Sequence, residues 1–480
     1  MKLKIFILTL ILLGGLFVRL YKFNAPIADW HSWRQADTSA VSRNFVNEGI
    51  DVLHPKFDDL SNVPTSGKYD NPQGYRFVEF PIYNVLQAGG FLVFDKFTLE
   101  EWGRIVSIAS FLFATVFLFL IVKRFSGVFT GILSAFFYSF LPFNIFWGRT
   151  VLPDQSMIMA TLGGIYFFSQ WIDSLKSKND IKKYLFSMLA VIFLASALLF
   201  KPLAGFFFLP ILWLSYKKWG FAIFKRFPLW VIAVFSFLPL LFWRIWMLRY
   251  PEGIADSTWL FEGSLRFKGA FFYWIFANRI GEFILGFWGL PLLVLGIIKK
   301  NKNSFFLSFL LSSLLYIFVV ARGNVQHSYY QIPIIPTIAI FLALGSEFLL
   351  NPPKQYFSKL ITYPILVFSI FLMFSLSWKD VRDYYNIQNP SIIAAGEALD
   401  RLAPKTAKVV APYDGDTTLL YYTERKGWAS FSKPLPGLIK MGASYLVLVN
   451  PKKQDLEIGL TYKIKASTSQ YLIFDLRQNP

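Results

Sequence analysis

The sequence lacks cysteine, and it contains only three histidines among 480 residues. Disulfides, thiolate nucleophiles and thiolate metal sites are therefore excluded, and imidazole ligation has little scope. No G-x-G-x-x-G motif follows a strand pattern, and no G-x-x-x-x-G-K-[ST] motif occurs, so the chain has neither common phosphate-cradling loop. No internal repeat is evident, which excludes solenoids and arrays.

Charge is also scarce, while apolar residues are abundant. Hydrophobic residues make up 55% of the chain and charged residues 16%, and the mean hydropathy is +0.46. This composition predicts a polytopic α-helical membrane protein. The formal net charge of +19 would suggest nucleic acid in a soluble chain. In a membrane chain it indicates topology instead, and no nucleic-acid partner is expected.

Two kinds of connection alternate between the apolar runs, and they differ in charge. The basic kind comprises 123–124, 176–183, 217–226, 299–302 and 354–359. The other kind carries acids, aromatics and prolines at 26–79, 149–154, 201–202, 249–268 and 322–330. Since Lys and Arg in short loops favour the cytoplasmic side, the basic set is placed inside with the amino terminus. About eleven spans follow, at 3–23, 104–122, 127–146, 157–172, 184–200, 203–216, 229–248, 271–298, 305–320, 332–350 and 360–378.

Two apolar segments near the amino terminus allow alternatives. The run ending at Phe23 is long enough to span a bilayer, and a cleaved signal peptide is the other interpretation. The segment 80–97 is interpreted as a helix in the outer interface, with Asn84, Gln87 and Asp95 towards water, because an extra span would break the charge alternation. A true span is the alternative there.

The chain is thus divided into two domains. Residues 1–386 are predicted to form a transmembrane domain with a long first outer loop at 24–80. Residues 387–480 have the composition of a small α/β domain, and the odd number of spans places it outside the cytoplasm. Ser391 is expected to cap a helix ending at Leu402, and short strands are predicted at 408–411, 419–423, 445–449 and 471–475.

The first outer loop is far longer than its neighbours, which is typical of a functional loop. Asp37 lies there, and Ala40, Val41, Phe45 and Val46 follow it at helical spacing, which predicts a membrane-facing stripe. A carboxylate at headgroup level, beside a basic face formed by Arg34 and Arg43, could accept a proton from an incoming hydroxyl. The alternative is a helix cap or a solvated acid paired with Arg34.

Glu79 lies where this loop returns to the membrane. Burial between Phe77 and Phe80 would raise its pKa unless a cation or metal neutralised it. His31 or His327 could join Glu79 around a divalent ion, but scattered histidines without ligand spacing are weak evidence for a metal. The alternative is an interfacial acid in contact with water.

Further charged residues follow in the other outer connections. Arg149 and Asp154 flank one turn, where snorkelling and a favourable helix dipole would also explain them. Lys201 closes a span, and Arg322, His327 and Tyr330 lie in the last outer turn. If these groups converge, they form a socket for a lipid-borne phosphate.

Asp414-Gly415-Asp416 has the D-x-D pattern of metal-binding nucleotide-sugar enzymes, but it is interpreted as a turn.

These residues carry a family resemblance. Asp37, the return Glu-Phe-Pro-Ile-Tyr at 79–83, Arg104, the 149–154 turn and Lys201-Pro202 resemble the GT-C superfamily of membrane glycosyltransferases. The similarity is to the branch of protein O-mannosyltransferases and bacterial aminoarabinose transferases. The later Tyr-Tyr-Gln-Ile-Pro at 329–333 is similar to that branch's Tyr-x-x-Pro signal. Many relatives have an Asp-Glu pair where this chain reads Gln-Ala-Asp-Thr at 35–38, a difference that bears on the donor sugar, the metal and the acceptor.

The resemblance implies an integral protein of the cell membrane that moves a sugar from a polyprenyl phosphate to an acceptor hydroxyl on the non-cytoplasmic side. The acceptor would be a protein, a lipid or an envelope glycan. Asp37 would be the general base, Glu79 and Asp154 supporting acids, and Lys201 with Arg322 phosphate contacts. The rival interpretation is a transporter or lipid flippase, which would place ionisable groups near the bilayer midplane.

Overall fold

The structure is a computed structural model, and it describes residues 2–61, 69–299, 304–353 and 358–479. Parts of the predicted basic connections at 299–302 and 354–359 lie outside these residues. The described α-helices, in chain order, are α1 (Lys2–Arg19), α2 (Ser32–Glu48), α3 (Ile82–Val93), α4 (Leu99–Ser126), α5 (Val128–Phe140), α6 (Pro142–Trp147), α7 (Asp154–Ser174), α8 (Asp180–Phe200), α9 (Leu209–Trp219), α10 (Phe227–Met247), α11 (Gly269–Phe272), α12 (Leu290–Ile298), α13 (Phe305–Val319), α14 (Ala321–Gln326), α15 (Ile335–Leu350), α16 (Lys359–Val381), α17 (Pro390–Leu402), α18 (Thr418–Tyr422) and α19 (Leu435–Lys440).

Strands and tighter or wider helical turns complete the described secondary structure. The strands are β1 (Lys408–Val410), β2 (Gly427–Trp428), β3 (Ala443–Val449), β4 (Lys463–Ser467) and β5 (Tyr471–Asp475). A π-helix runs over Tyr273–Ile284. The 3₁₀ turns are Pro202–Phe208, Gly220–Lys225, Pro251–Gly253, Thr258–Phe261, Gly263–Phe267, Ser328–Ile334, Arg382–Tyr385 and Lys453–Leu460.

Contacts between residues divide the chain into two compact units. The helical unit comprises Met1–Phe23, Arg104–Phe242 and Ser257–Asp383. The mixed unit comprises Asn24–Gly103, Trp243–Asp256 and Tyr384–Pro480, so it combines the first long loop with the carboxy-terminal segment. The start of a separate domain at residue 387 stays a prediction.

Interruptions in the apolar helices affect the count of spans. Within the described residues, five helices are long and apolar enough to cross a membrane: Leu99–Ser126, Asp180–Phe200, Phe227–Met247, Ser328–Leu350 and Lys359–Leu402. The predicted span at 127–146 divides at Leu141, just before Pro142, into α5 and α6. The predicted span at 271–298 is broken by positive φ angles at Gly286 and Phe287. The predicted total of about eleven spans therefore stays a prediction.

Two helices of the helical unit approach each other closely through glycine. Gly296 on α12 faces Gly345 on α15. A Cβ atom at Gly345 would lie 1.9 Å from the Leu292 carbonyl oxygen, and one at Gly296 would lie 1.9 Å from the Phe341 carbonyl oxygen. Backbone atoms cannot move aside like a flexible side chain, so glycine is required at this crossing.

A buried arginine in the helical unit shows how charge is accommodated there. The Arg19 guanidinium donates to the carbonyl oxygens of Gly15 and Ser139 at 3.0 Å and of Asn144 at 2.9 Å. Its central carbon lies 3.3 Å from the centroid of the Phe111 ring. Internal carbonyl partners are needed because lipid provides none.

In the mixed unit, α3 packs against α2 through polar side chains. Gln87 Nε2 donates to Ser39 Oγ at 3.1 Å, Gln87 Oε1 accepts from Ser42 Oγ at 2.8 Å, and Asn84 Nδ2 donates to the Thr38 carbonyl at 2.7 Å. The expectation that Asn84 and Gln87 face water is therefore wrong. With twelve residues, α3 is about 18 Å long, too short to span a bilayer core of about 30 Å.

The five strands form one mixed sheet in the order β2-β1-β3-β5-β4. The pairs β1–β2 and β1–β3 are parallel, and β3–β5 and β4–β5 are antiparallel. Alternate residues of β3 point to opposite faces, so Tyr445 and Val447 pack with Leu399 of α17 while Leu446 packs with Leu438 of α19. Both faces of the sheet are consequently covered.

The first loop extends this sheet beyond β2. Gly427 donates its N–H to the Asp58 carbonyl at 3.0 Å, and Leu60 donates to the Gly427 carbonyl at 2.6 Å. The Leu60 side chain joins the apolar core of the sheet. Residues 58–60 thereby cover a strand edge that would otherwise expose unpaired backbone groups.

The predicted strands at 408–411, 445–449 and 471–475 correspond to β1, β3 and β5. The strand predicted at 419–423 is wrong, because Thr418–Tyr422 is the helix α18. A short apolar run has no periodicity that distinguishes a strand from a helix. In the structure, Asp416 stabilises the start of the helix, because its side chain accepts from the Thr418 N–H at 2.7 Å. Asn389, rather than Ser391, caps α17 through its side chain.

Candidate active site

Asp37 lies in the second turn of α2, and its side chain is almost completely buried. The helix begins after His31, which has left-handed backbone angles (φ 54°, ψ 40°). Before it, Trp30 stacks on Tyr384 with ring centroids 5.0 Å apart. Asp37 is 3% exposed. The left-handed conformation of His31 and the stacking of Trp30 therefore fix the start of the helix that carries the Asp37 carboxylate.

Both carboxylate oxygens of Asp37 have partners. Arg76 Nη2 donates to Oδ2 at 2.7 Å, and Thr417 Oγ1 donates to Oδ1 at 2.8 Å. A carboxylate can accept about four hydrogen bonds, so these two leave capacity for an incoming hydroxyl. The paired guanidinium offsets the cost of burying the negative charge.

A second ion pair lies on the same two segments. Arg34 Nη2 donates to Glu79 Oε1 at 2.6 Å and Oε2 at 2.7 Å, with the two side chains 9% and 13% exposed. Arg34 and Asp37 share one face of α2 because they are three residues apart, and Arg76 and Glu79 have the same spacing in the loop. Each segment therefore contributes one arginine and one acid.

Two details of the sequence interpretation of α2 are wrong. Ala40, Val41 and Phe45 are buried inside the protein, so they do not form a membrane-facing stripe. Arg34 and Arg43 do not form one basic face, because Arg43 pairs with Asp58 and lies 4.1 Å from the Tyr421 ring centroid. Nine residues along a helix correspond to two and a half turns, which puts the two arginines on opposite sides. The alternative interpretation, in which Asp37 pairs with Arg34, is also wrong, because its partner is Arg76.

Acids near Asp37 are affected by burial. Burial raises the pKa of Asp59 and of Asp416, and the negative charge of Asp37 adds to both increases. Asp414 and Gly415 have positive φ angles, and Asp416 caps α18, so this D-x-D pattern forms a turn as predicted.

In the helical unit, Asp154 and Lys201 form a buried pair. Lys201 Nζ lies 2.8 Å from Asp154 Oδ1 and 2.9 Å from Oδ2, with side chains 8% and 3% exposed. Helix α8 ends at Phe200, because Pro202 disfavours helical angles at Lys201, the residue before it. The ammonium also lies 5.3 and 5.4 Å from the Tyr329 and Tyr330 ring centroids. Three of the predicted site residues, Asp154, Lys201 and Tyr330, are thus brought together.

The remaining predicted residues of the helical unit have separate surroundings. Arg149 is buried and donates to the Lys22 carbonyl at 3.1 Å, so it does not snorkel. Arg322 forms a half-exposed pair with Glu262 at 2.7 Å. His327 stacks on Tyr329 with centroids 5.4 Å apart. Burial, with a contribution from Arg279, lowers the pKa of His327 to about 4.

The candidates for a metal site do not assemble into one. Within the described part of the chain, no group of three histidine or acidic side chains could hold a metal ion. Glu79 is bound to Arg34, and His31 packs edge-on against Trp30. His327 belongs to the helical unit, whereas the other two candidates belong to the mixed unit.

Sequence reasoning missed Arg76 and Thr417, which both bind Asp37. Arg76 had a usable signal, because it lies three residues before Glu79 in the segment that returns to the membrane. Thr417 had none, since 380 residues separate it from Asp37.

Comparisons with known proteins agree on the fold. A model of the family described as dolichyl-phosphate-mannose-protein mannosyltransferase matches residues 78–246. A sequence search of curated proteins gave no match. Among solved structures, ArnT from Cupriavidus metallidurans bound to undecaprenyl phosphate is similar, with 12% identity and a TM-score of 0.67, over 98% of this chain and 97% of that chain.

Two further structures share this architecture. The archaeal oligosaccharyltransferase AglB from Archaeoglobus fulgidus, in complex with an inhibitory peptide and a dolichol-phosphate, is 10% identical, with a TM-score of 0.57 over 92% of this chain and 69% of that one. The arabinofuranosyltransferase AftD from Mycobacteria is 12% identical, with a TM-score of 0.57 over 98% of this chain and 41% of that one.

These matches confirm the resemblance to GT-C membrane glycosyltransferases of the protein mannosyltransferase and ArnT type. The fold, together with the long apolar helices, identifies an integral membrane protein.

Proposed function

We propose that this protein is a glycosyltransferase that moves a sugar from a polyprenyl-phosphate donor to an acceptor hydroxyl. The observation that carries the proposal is the buried Asp37 carboxylate, held at 2.7 Å by Arg76 within a fold of the GT-C type. The family match to a mannosyltransferase model and the fold shared with ArnT support the class of donor.

The proposed reaction is a single displacement at the anomeric carbon. The acceptor oxygen attacks this carbon while Asp37 accepts the hydroxyl proton, and the bond to the donor phosphate breaks. The electron pair of that bond leaves with the polyprenyl phosphate, and the sugar configuration inverts. General-base assistance of this kind contributes about 10² to 10⁴ in rate.

The supporting acids take positioning roles in this proposal. Glu79 pairs with Arg34, which lies on the same face of α2 as Asp37, and Asp154 pairs with Lys201. An ammonium has three N–H donors, so Lys201 keeps one for a phosphate oxygen after binding the two oxygens of Asp154. We assign the donor phosphate to Lys201 and Tyr330, with Arg149, Arg322 and His327 as further candidates.

The side of the membrane follows from charge. Because the basic connections favour the cytoplasm, the first long loop and residues 387–480 are placed on the extracytoplasmic side of the cell membrane. The acceptor is accordingly a protein, lipid or glycan of the envelope.

The test compares Asp37→Asn with Asp70→Asn. Asp70 lies in the same loop, but its pair with Lys433 is exposed, so it controls for the change in charge. Purified protein in nanodiscs would be given radiolabelled mannose or aminoarabinose on undecaprenyl phosphate, with an envelope extract from cells lacking the protein as acceptor. Asp37→Asn should reduce transfer by at least about 10²-fold, and Asp70→Asn should leave it unchanged. Turnover by Asp37→Asn within about tenfold of wild type would remove Asp37 as the base.

A further inference from the structure

The threonine in front of α18 does not cap its own helix. Thr417 occupies the N-cap position, where a threonine hydroxyl ordinarily accepts from a backbone N–H of the first turn. Asp416 accepts this hydrogen bond instead, since its Oδ1 lies 2.7 Å from the Thr418 N–H donor. The Thr417 hydroxyl is directed instead towards α2, where it lies 2.8 Å from Asp37 Oδ1 and 3.3 Å from the Trp33 carbonyl oxygen.

The neighbouring residue anchors the same segment. Thr418 is fully buried, and its Oγ1 lies 2.9 Å from Ser32 Oγ at the start of α2. Two consecutive hydroxyls from the carboxy-terminal segment therefore reach the first two turns of α2. Of these two threonines, Thr417 contacts the Asp37 carboxylate and Thr418 contacts Ser32.

A carboxylate held at one oxygen can still rotate about its bond to Cβ. Arg76 contacts Oδ2 through a single nitrogen, Nη2. A second hydrogen bond at Oδ1 fixes the plane of the group and thereby the direction of its remaining lone pairs. Small errors in the placement of a reacting group reduce rates strongly, since a displacement of about 1 Å can cost about 10²-fold.

We propose that Thr417 is a positioning residue that orients Asp37 for proton acceptance from the acceptor hydroxyl. This inference rests on the proposed function. Arg76 compensates the charge of the Asp37 carboxylate, and Thr417 sets its orientation. The acceptor hydroxyl donates to a lone pair of Asp37 that neither Arg76 nor Thr417 occupies. The carboxy-terminal segment thus contributes directly to the geometry of the site on the first loop.

Three variants separate orientation from folding. Thr417→Val keeps the shape and removes the hydroxyl, Thr417→Ser keeps the hydroxyl, and Thr418→Val removes the adjacent hydroxyl that touches Ser32 instead of Asp37. Initial rates would be measured in nanodiscs against donor and acceptor concentration, using undecaprenyl-phosphate-linked mannose or aminoarabinose, and melting temperatures would be recorded for each variant.

Thr417→Val should lower kcat by about 10- to 100-fold, with both KM values changed by less than about twofold. Thr417→Ser should restore kcat to within about threefold of wild type, and Thr418→Val should retain it. A purely structural role would instead make both valine variants lose activity in proportion to their melting temperatures.

Several results would overturn the inference. Unchanged or increased kcat in Thr417→Val, alongside an inactive Asp37→Asn, would refute the role of Thr417 and leave the proposed function intact. An equal loss in Thr418→Val would assign the effect to folding. An active Asp37→Asn would remove the proposed base, and the positioning role with it.

Discussion

The two compact units hold their charged residues in different ways. In the helical unit, Arg19 and Arg149 donate to backbone carbonyl oxygens, and Lys201 binds one buried carboxylate. In the mixed unit, α2 alone contributes Arg34, Asp37 and Arg43 to three ion pairs. Lipid offers polar groups no alternative to internal partners, and the α2 pairs are also largely buried, so charges in both units need partners within the protein. The comparison teaches that buried cations of the helical unit rely largely on backbone carbonyl oxygens, whereas α2 pairs its cations and its acid with side chains of opposite charge and so concentrates ion pairs around the proposed base.

The largest expected effect comes from adding one carbon where two helices of the helical unit touch. Gly345→Ala should prevent stable folding, because its Cβ would meet the Leu292 carbonyl oxygen at 1.9 Å. A loss above about 4 kcal/mol is expected for such an unrelievable clash. Size-exclusion profiles and melting curves in detergent would measure it.

Gly89→Ala is the matched change in the mixed unit. A Cβ at Gly89 in α3 meets nothing within 4 Å, so this substitution should be neutral or stabilise by up to about 1 kcal/mol. A Gly345→Ala protein that melts like wild type would show that the close helix crossing does not control folding.

A smaller effect should follow from breaking the buried pair of the helical unit. Lys201→Met leaves the Asp154 carboxylate buried without its cation, which costs about 3 to 5 kcal/mol. Adding Asp154→Asn should recover most of this stability, because no unpaired charge remains, but it should not recover transfer activity. Melting curves and transfer rates of the single and double variants would be compared.

Lys433→Met provides the control from the mixed unit. Its pair with Asp70 is about half exposed, so the loss should be at most about 1 kcal/mol. If the double variant Lys201→Met with Asp154→Asn recovered transfer, Lys201 would not belong to the donor site and would have only a structural role.

The smallest predicted effect concerns pH and His327. Folding lowers its pKa from 6.5 to about 4, so between these values the unfolded chain binds a proton that the folded chain does not. The contribution of His327 to stability should therefore be constant above pH 6.5 and fall as the pH drops from 6.5 towards 4. His327→Gln should remove part of this dependence, measured as the difference in melting temperature between acidic and neutral buffer. An identical difference in both proteins would contradict it.

Hydropathy and charge predicted the class of fold and the positions of the apolar helices, because a helix that crosses the bilayer must be a long apolar segment. The interruptions could not be predicted. Phe287 has a positive φ angle although it is not glycine, and the π-helix before it has no sequence signal. Such breaks depend on packing against neighbouring helices.

For the candidate site, Asp37 and Glu79 could be proposed from the sequence because both lie in an unusually long first loop. Their partners could not all be found in the same way. Arg34 and Arg76 could have been found from their spacing, because each lies three residues before one of these acids. Thr417 comes from a distant segment, and a single sequence does not connect that segment to the loop. The misassigned strand at 419–423 also hid the helix that presents Thr417 to α2.

The pairing of Thr417 with Asp37 has a consequence for biosynthesis. The two residues are 380 positions apart, and at about 5 to 20 residues per second the ribosome needs roughly 20 to 80 s to pass from one to the other. During that interval the pair with Arg76 can close, but the hydroxyl partner does not yet exist. Until translation has delivered β2 and α18, residues 58–60 of the nascent loop lack their strand partner and Asp37 lacks its hydroxyl partner. Synthesis of the chain thus sets the earliest moment at which the site is complete.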